Sequence, residues 1–236
     1  MPNITGKGHC LTCPIRYRSI FSGLSEEILK TDIKDFHTSI LNCKSNEIVY
    51  EQGELAEYAY TLREGLIKLT KSLPDGRTQI VRILKKGDLF GFDGFVEEDY
   101  NHTAVAISKS EVCRLPLKDL IQLRLNNTEI SSAMMDRWLK NIREAEDMML
   151  ELGAKKAPEK LASFLLKWCE GLDNKNWIKL ELSRSEIGDL LGLTIETVSR
   201  FLSDWRRLGF IEESKGSILI VDPEGLRDKA CSTGSC

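Results

Sequence analysis

The sequence predicts an α+β fold in which a β-rich N-terminal part is followed by a long helix and then by a mostly helical C-terminal part. Three observations predict it. Short runs of β-branched and aliphatic residues are separated by glycines at 53, 65, 76 and 87, and turns at such regular intervals are typical of an all-β roll or sandwich. A 3-4-3-4-3 spacing of apolar residues predicts one long helix over 127–153. Two short helical patterns with start and stop signals occupy 183–207.

Composition and charge describe an ordinary globular chain. Its 236 residues suit one large domain or two small ones, and 42% are hydrophobic and 29% charged. The sequence shows neither a signal-peptide pattern nor an apolar run of membrane-spanning length, so we expect a cytoplasmic protein without a membrane partner. From residue 154 onward, 13 Lys and Arg balance 13 Asp and Glu. Affinity for a nucleic acid must therefore come from local placement of basic residues.

Residues 183–207 predict two short helices joined by a tight turn. Ser183 and Glu186 form a capping-box pattern, in which each side chain can satisfy a free amide at the helix start. Gly192 suits a left-handed C-cap, and Thr194 can cap the second helix. The second helix has an apolar face that consists of Val198, Phe201, Leu202 and Trp205. The opposite face is polar and able to read base edges, and it consists of Glu196, Thr197, Ser199, Arg200 and Ser203. The pattern predicts a helix-turn-helix, with two amphipathic core helices of another fold as the alternative.

The segment after the second helix predicts a two-stranded hairpin. A turn at Lys215-Gly216-Ser217 lies between the apolar runs 208–211 and 218–221. A helix-turn-helix followed by such a hairpin is a winged helix, and with this arrangement the chain resembles the CRP/FNR family of bacterial transcription regulators, in particular its FNR branch. The resemblance runs along nearly the whole chain, and the recognition helix is its most specific part.

The resemblance implies a homodimeric regulator that binds double-stranded DNA at a two-fold operator. Glu196, Ser199 and Arg200 match the base-reading positions of the FNR branch, which implies a half-site like TTGAT. Arginine can donate two hydrogen bonds to guanine, and glutamate can accept one from cytosine. The full set of expected DNA-binding residues, including those that position the protein on phosphates, is Ser183, Arg184, Thr194, Glu196, Thr197, Ser199, Arg200 and Arg206.

For the β-rich part, the resemblance implies the double-stranded β-roll that forms the sensor domain of the family. Pro74-Asp75-Gly76 predicts a hairpin in it, because proline presets the first turn position and glycine accepts a positive φ. Members that bind cyclic nucleotides carry an Arg-Ser pair that grips the ribose and phosphate, and His102 and Thr103 stand in its place. Since no guanidinium is available for the phosphate, cyclic AMP is not expected as a ligand.

The long helix predicted over 127–153 carries a short heptad seam, and Gly153 is expected to end it. Two such helices side by side would form a parallel homodimer, and in the family this helix carries the sensor's signal to the DNA-binding domain. The alternative is one amphipathic helix packed on its own domain. The predicted dimer interface consists of Met135, Trp138, Ile142, Ala145, Met149 and Leu152.

Seven cysteines, an odd number, do not make a disulfide framework in a cytosolic chain. Cys10 and Cys13 form a lone C-x-x-C, which is compatible with half of a metal site, a redox dithiol or no role. Oxygen-sensing members of the FNR branch hold a [4Fe-4S] cluster with three cysteines near the N-terminus and one in the roll. Cys10, Cys13 and Cys113 match three of these positions, and Ser19 stands at the remaining one.

Ser19 leaves three interpretations open, because a serine hydroxyl is more basic than a thiol and rarely binds iron. A [4Fe-4S] cluster could be held by the three matching cysteines and an unconventional fourth ligand, for which the candidates are Cys43, His9 and Ser19. Alternatively, Cys10 and Cys13 cycle to a disulfide, or the cysteines are remnants of a lost sensor. The predicted function is a regulator that responds to oxygen or redox state through a cluster, with a thiol-based or ligand-responsive regulator without a cluster as the alternative.

A thiol-disulfide oxidoreductase that uses Cys10 and Cys13 is a distant alternative from another functional class. Such enzymes place the pair after a strand and at the start of a helix, and we expect no strand among the mostly polar residues before Cys10. The sequence also contains no phosphate loop, H-E-x-x-H helix or nucleophile elbow. The chain is therefore not expected to be an enzyme.

The sequence predicts five segments and one further partner. The segments are a cysteine-bearing stretch over 1–24, the β-roll over 25–126, the dimerisation helix over 127–153, the winged helix over 154–229 and a flexible tail over 230–236. The resemblance implies RNA polymerase as the partner. The hairpin from Leu73 to Arg77 is a candidate contact surface, with an ordinary solvated turn as the alternative.

Overall fold

The computed structural model describes residues 2–8, 10–19, 21–22, 25–31, 38–96, 98–170 and 176–230. The chain divides into two compact units, residues 1–142 and 143–236, and the division falls inside one long helix. The first unit is rich in strands and the second in helices, which confirms the predicted α+β class. Within the described ranges, no helix combines the length and apolarity needed to cross a membrane. Most of the predicted tail, residues 231–236, lies outside the described residues.

The first unit is a roll of two antiparallel sheets. Its strands are β1 (Asn3–Lys7), β2 (Ser39–Cys43), β3 (Ile48–Tyr50), β4 (Tyr58–Glu64), β5 (Ile67–Ser72), β6 (Thr78–Leu84), β7 (Leu89–Phe90), β8 (Thr103–Ala106) and β9 (Ser110–Pro116). One sheet has the strand order β1-β2-β9-β4-β7 and the other has the order β3-β8-β5-β6. A short helix, α1 (Glu26–Thr31), and 3-10 turns at Cys10–Thr12, Arg16–Arg18 and Asp93–Val96 complete this part.

The hairpin between β5 and β6 forms where Pro74-Asp75-Gly76 predicts it. The amide of Gly76 donates to the carbonyl of Leu73 at 2.9 Å, and Gly76 has φ +86°. Asp75 accepts hydrogen bonds from the backbone and the guanidinium of Arg77 at 3.0 and 2.9 Å. These contacts fix the turn, and with it the register of two strands of the roll.

A strand precedes the C-x-x-C pair, so the prediction of no strand there was wrong. β1 pairs antiparallel with β2, with Asn3 opposite Asn42 and Lys7 opposite Ser39. All five β1 residues are exposed, so the strand is held by backbone pairing and leaves no apolar pattern in the sequence. The pairing also joins residues predicted as a separate segment over 1–24 to the sheet of the roll. Because a 3-10 turn follows β1, the order of a βαβ unit is absent from the described residues around Cys10.

Two helices follow the roll, α2 (Leu117–Asn126) and α3 (Thr128–Ala154). The side-chain oxygen of Asn127 accepts the amide hydrogen of Ile130 at 3.1 Å and so caps the start of α3. Gly153, predicted to end the long helix, instead keeps helical conformation. The break comes at Lys156, which is extended and whose amide donates to Glu159 Oε2 at 3.0 Å to begin the next helix.

The second unit contains α4 (Ala157–Cys169), β10 (Ile178–Lys179), α5 (Arg184–Leu191), α6 (Ile195–Arg207), β11 (Ile211–Ser214), β12 (Ser217–Ile220) and α7 (Pro223–Ala230). The strands form a sheet in the order β10-β12-β11. Lys215 and Gly216 both have positive φ, +47° and +78°, as a two-residue hairpin requires. The predicted helix-turn-helix and hairpin are therefore both present, and α7 is a helix that the sequence analysis did not predict.

Candidate DNA-binding surface and cysteine site

The start of α5 is fixed by the predicted capping box. Ser183 Oγ accepts the amide hydrogen of Glu186 at 3.2 Å, and the amide of Ser183 donates to Glu186 Oε2 at 2.9 Å. At the other end, Gly192 adopts the left-handed conformation with φ +64°. An N-cap such as that of Ser183 contributes about 1 kcal/mol to stability. The two signals together set where the turn of the helix-turn-helix lies.

Gly188 allows the two helices to approach, a role that the sequence analysis missed. Gly188 is buried, and its carbonyl accepts the amide hydrogen of Leu193 at 3.0 Å. A Cβ atom at this position would lie 2.5 Å from the carbonyl oxygen of Leu193. A larger residue would therefore push the turn away from α5. A glycine inside a strongly patterned helix, where propensity disfavours it, is the signal that could have identified this position.

The two faces of α6 divide as the sequence predicts. Of the predicted apolar face, Val198, Leu202 and Trp205 are buried, whereas Phe201 is half-buried. Thr194 Oγ1 accepts the amide hydrogen of Thr197 at 3.2 Å, so this predicted contact residue caps the helix. The remaining predicted contact residues of α6 are exposed or half-buried: Glu196, Arg200 and Arg206 are exposed, and Thr197 and Ser199 are half-buried.

The exposed face of α6 presents an acceptor and a donor one turn apart. The backbone amide of Glu196 itself, followed by the hydroxyl of Thr194, lowers the pKa of the Glu196 carboxyl, so that it is ionised at neutral pH and accepts hydrogen bonds. The guanidinium of Arg200 lies 5.3 Å from the ring centroid of Phe201, which stacks on Trp205 at 5.9 Å. Glu196 and Arg200 together can recognise the cytosine and guanine edges of a base pair in a major groove.

The residues expected to contact phosphates have different surroundings. Ser183 uses its hydroxyl in the cap, and Arg206 is exposed in the last turn of α6. One guanidinium nitrogen of Arg184 lies 3.2 and 3.3 Å from the two carboxylate oxygens of Glu213 on β11. Sequence reasoning missed Glu213, because an ion pair between residues 29 positions apart leaves no local pattern.

Among the described residues, helix α3 carries a stripe of apolar side chains that are largely exposed. Met135, Ile142 and Met149, spaced seven residues apart, are 52%, 54% and 66% exposed. Leu139 is also exposed and was absent from the predicted interface. Ala145 is exposed and Leu152 is half-buried.

Trp138 departs from the predicted interface. Its indole packs edge-on against Phe92 and Phe95 of the roll, with ring centroids 6.4 and 6.0 Å apart. The 3-4 spacing alone could not show whether Trp138 belongs to the dimer interface or packs on its own domain. The indole is large enough to reach its own domain from the border of the stripe. The structure thus places Trp138 in the packing of the first unit.

The N-terminal segment passes over Cys113 of β9. Cys113 lies opposite Ile40 of β2 and Thr61 of β4 in the five-stranded sheet. The amide of Gly8 donates to the carbonyl of Thr38 at 3.0 Å, and a Cβ atom on Gly8 would lie 3.4 Å from Cys113 Sγ. A Cβ atom on Gly8 would also overlap Thr38 Oγ1, so the absence of a side chain at Gly8 lets the chain pass close to Thr38, beside Cys113, before it turns through Cys10–Thr12.

The thiols of Cys10, Cys13 and Cys113 are close enough for their charges to interact. Burial, followed by repulsion from Cys113 and Cys13, raises the pKa of the Cys10 thiol to about 12. Burial raises the pKa of the Cys113 thiol to about 11. The hydroxyl of Thr38 and the guanidinium of Arg63 oppose both shifts. Cys10 and Cys113 are accordingly protonated at neutral pH, and a metal ion or an oxidant must displace their protons.

Thr38 and Arg63 make this a polar environment under the N-terminal segment. Thr38 Oγ1 is buried and, among the described residues, has no partner in regular hydrogen-bond geometry, although the two thiols lie beside it. Arg63 forms an ion pair with Glu111 at 3.1 Å. The positive charge of the Arg63 guanidinium stabilises the thiolate forms of Cys10 and Cys113.

Two of the candidates for a fourth cluster ligand, Ser19 and Cys43, are engaged elsewhere. Ser19 is buried, and its hydroxyl donates to the carbonyl of Arg16 at 2.9 Å and accepts the amide hydrogen of Phe21 at 3.2 Å. Cys43 belongs to the roll core and, three positions along β2 from Ile40, faces the other side of the sheet from Cys113. His9 lies outside the described residues.

The described residues therefore do not fit a four-cysteine [4Fe-4S] cluster. The charges of three of the required thiols interact, but within the described ranges no group of three or more His, Cys, Asp or Glu side chains is arranged to hold a metal ion. Cys169 is buried in α4, as expected for a core residue. Cys231 and Cys236 lie outside the described residues.

Aromatic rings fill the interior of the roll beside His102. Tyr50 stacks on Tyr100 with centroids 3.8 Å apart and on Tyr60 at 5.4 Å, and Tyr60 stacks on Phe90 at 5.2 Å. The Tyr50 hydroxyl lies 2.9 Å from His102 Nε2. Burial lowers the pKa of His102, so its imidazole is neutral at pH 7 and carries no charge for a phosphate.

Comparison with known proteins places both units in known families. Residues 40–127 match a model described as a cyclic nucleotide-binding domain, and residues 159–229 match the Crp-like helix-turn-helix domain. The chain is 32% identical over 227 residues, 93% of each chain, to the nitrogen fixation regulation protein FixK of Bradyrhizobium diazoefficiens. It is 30% identical over 184 residues, 76% of this chain and 75% of the relative, to the transcriptional activator protein Anr of Pseudomonas protegens.

Solved structures give the same result. The structure of FixK2 from Bradyrhizobium japonicum superposes with a TM-score of 0.75 at 30% identity and covers 84% of this chain and 99% of that one. A CRP-family transcriptional regulator from Thermus thermophilus superposes with a TM-score of 0.70 at 26% identity, covering 80% and 95%. With a roll, a winged helix and relatives of this similarity, the chain belongs to the CRP/FNR family of DNA-binding transcription regulators and is not an enzyme.

Proposed function

We propose that this regulator binds a two-fold DNA operator as a homodimer, with α6 in the major groove of each half-site. The observation that carries the proposal is the exposed face of α6, where ionised Glu196 and the guanidinium of Arg200 stand one turn apart on a buried apolar base. The match of Glu196, Ser199 and Arg200 to the FNR branch supports a half-site like TTGAT. Arg200→Ala tests the proposal: affinity for the operator should fall, and affinity for a scrambled duplex should change much less.

The homodimer is supported by the stripe on α3. Three apolar side chains at heptad spacing, Met135, Ile142 and Met149, are each more than half exposed, and a second copy of the same helix would cover them. Two-fold symmetry of the protein then matches two half-sites about one helical turn apart. We place Leu139 in this interface as well, and Trp138 outside its centre.

We propose that the regulator responds to oxidants through its thiols, with the disulfide of Cys10 and Cys13 as the oxidised state. The support is the C-x-x-C spacing of Cys10 and Cys13, whose thiol charges interact, and the guanidinium of Arg63 near Cys10 and Cys113. When peroxide oxidises the pair, the two thiols give up two protons and two electrons, and peroxide is reduced to two waters. Formation of the disulfide would alter the 3-10 turn at Cys10–Thr12, and with it the N-terminal segment that lies over Cys113.

The thiol proposal is tested on protein purified without oxygen. We expect no more than traces of iron and acid-labile sulfide, and we expect peroxide to consume two thiols per chain and change operator affinity. Cys13→Ser should abolish that change, whereas Cys169→Ala, in the core of the second unit, should retain it. Near-stoichiometric iron and sulfide with an absorption that bleaches in air would replace the thiol mechanism by a cluster. A peroxide response that persists in Cys13→Ser would also contradict it.

We propose that the roll does not take a cyclic nucleotide. Neutral His102 stands where an arginine would bind the phosphate, and its Nε2 atom is engaged by the Tyr50 hydroxyl. The stacked rings of Tyr50, Tyr60 and Tyr100 occupy the interior beside it. The roll then acts as a scaffold that carries the state of the N-terminal thiols to α3.

We propose the hairpin from Leu73 to Arg77 as a contact for RNA polymerase. Leu73 is 52% exposed at the tip of β5 and β6, and Asp75 and Arg77 form an exposed ion pair at 2.9 Å beside it. Leu73→Ser should leave operator affinity unchanged and lower transcription by the polymerase in vitro at least about threefold. If Leu73→Ser supports transcription like the parent, the hairpin is an ordinary solvated turn.

A further inference from the structure

The ion pair between Arg184 and Glu213 joins the first turn of α5 to the hairpin of the winged helix. The nitrogen–oxygen distances are 3.2 and 3.3 Å. The pair is partly accessible, with 41% of the Arg184 side chain and 20% of the Glu213 side chain exposed. A contact of this kind is screened by water and salt, so another anion can displace the carboxylate.

Strand alternation directs Glu213 toward the domain and Glu212 away from it. Glu213 pairs with Ile218 of β12, which is 1% exposed, so both side chains lie on the inner face of the hairpin. Glu212 pairs with Leu219 and is itself exposed on the other face. The two carboxylates are neighbours on one strand and carry the same charge, but they lie on opposite faces of the hairpin. The Arg184 guanidinium contacts Glu213.

Arg184 also lies where a DNA phosphate is expected. It is the first residue of α5, and helix N-termini and arginine side chains are common phosphate contacts in protein–DNA complexes. A phosphate would need the same guanidinium that Glu213 holds, because both are anions that accept from its N–H groups. The chain has no excess of basic residues here to compensate, since from residue 154 onward it carries 13 Lys and Arg and 13 Asp and Glu.

We propose that Glu213 competes with the DNA backbone for Arg184 and so lowers the affinity of this regulator for DNA of every sequence. The proposal rests on the proposed placement of α6 in the major groove, which brings the start of α5 to the backbone. A phosphate contact carries no sequence information, so the competition weakens operator and random DNA by the same factor. The base contacts of α6 are left to distinguish the operator.

The test is the affinity of the full-length protein for two duplexes of about 30 base pairs, one with two TTGAT half-sites and one of random sequence. Glu213→Gln should bind both more tightly by about threefold to tenfold, and its plot of log affinity against log salt should steepen by about 0.9 per protomer, the value for one additional phosphate neutralised. Glu212→Gln is the matched control, because it removes the same charge from the neighbouring position; it should change affinity less than about twofold.

A second pair of variants removes the cation. Arg184→Gln should bind both duplexes more weakly than the parent, because it removes the guanidinium and leaves the Glu213 carboxylate unpaired. Glu213→Gln added to Arg184→Gln should change affinity less than about twofold, as Glu212→Gln does, because no guanidinium is left to release to a phosphate. Melting temperatures of all variants show whether the domain is still folded. The proposal is overturned if Glu213→Gln leaves affinity unchanged or lowers it, if Glu212→Gln raises affinity equally, or if the effect of Glu213→Gln persists without Arg184. A failure of operator recognition itself appears separately, as equal affinity of the parent for both duplexes.

Discussion

Arg200→Ala is expected to lower operator affinity by about 1–3 kcal/mol for each half-site, or about 5- to 150-fold. The guanidinium lies exposed on α6, beside the ring of Phe201 at 5.3 Å, and alanine removes its donors without disturbing the buried face. Because those donors read a base edge, random-sequence DNA should lose much less affinity, and specificity should relax at one base pair of each half-site. Fluorescence anisotropy with a TTGAT operator and a scrambled duplex measures both quantities.

Arg206→Ala is the matched control for a phosphate contact. Arg206 is exposed in the last turn of the same helix. Its loss should weaken operator and scrambled DNA by similar factors and reduce the salt dependence by about 0.9 per protomer. If Arg200→Ala binds both duplexes as the parent does, α6 is not the base-reading helix, and the assignment of its polar face is wrong.

Ile142→Glu is expected to convert the dimer to a monomer at micromolar concentration and to lower operator affinity at least about 100-fold. Ile142 is 54% exposed in the middle of the α3 stripe, with Met135 and Met149 seven residues to either side. In a two-fold dimer the two new carboxylates would be opposed and removed from water, which costs several kcal/mol. The residue is exposed within its own chain, so circular dichroism should remain unchanged. Sedimentation velocity measures the oligomeric state.

Asp147→Lys is the control on the opposite face of α3. Asp147 is exposed five residues after Ile142, outside the stripe, and the substitution also introduces a charge change on the same helix. This variant should remain a dimer and bind the operator like the parent. A dimer that persists in Ile142→Glu would place the interface on another surface of the molecule.

The helix-turn-helix could be predicted closely from the sequence because its signals are local. The cap at Ser183, the left-handed Gly192 and the cap at Thr194 each depend on residues within three positions, and each forms as predicted. The turn at Gly76 follows the same rule. Where a few adjacent residues determine the backbone, sequence and structure agree.

Features that depend on distant residues could not be predicted. β1 pairs through its backbone with exposed side chains, so no periodic pattern marks it. The contact between Arg184 and Glu213 and the packing of Trp138 on Phe95 link residues far apart in the chain. The resemblance to FNR-branch regulators pointed to Cys10, Cys13 and Cys113, whereas the engagement of Ser19 in backbone hydrogen bonds appeared only in the structure.

Selection of bound DNA from a pool of random duplexes of about 30 base pairs tests the central claim most directly. The purified protein should enrich sequences with two inverted half-sites like TTGAT, centred about 10 base pairs apart, since a two-fold dimer places its two recognition helices one turn apart on the duplex. Arg200→Ala should enrich the same arrangement with one position per half-site relaxed. A pool without enrichment, or an enriched site without two-fold symmetry, would contradict the account of a dimer that reads DNA through α6.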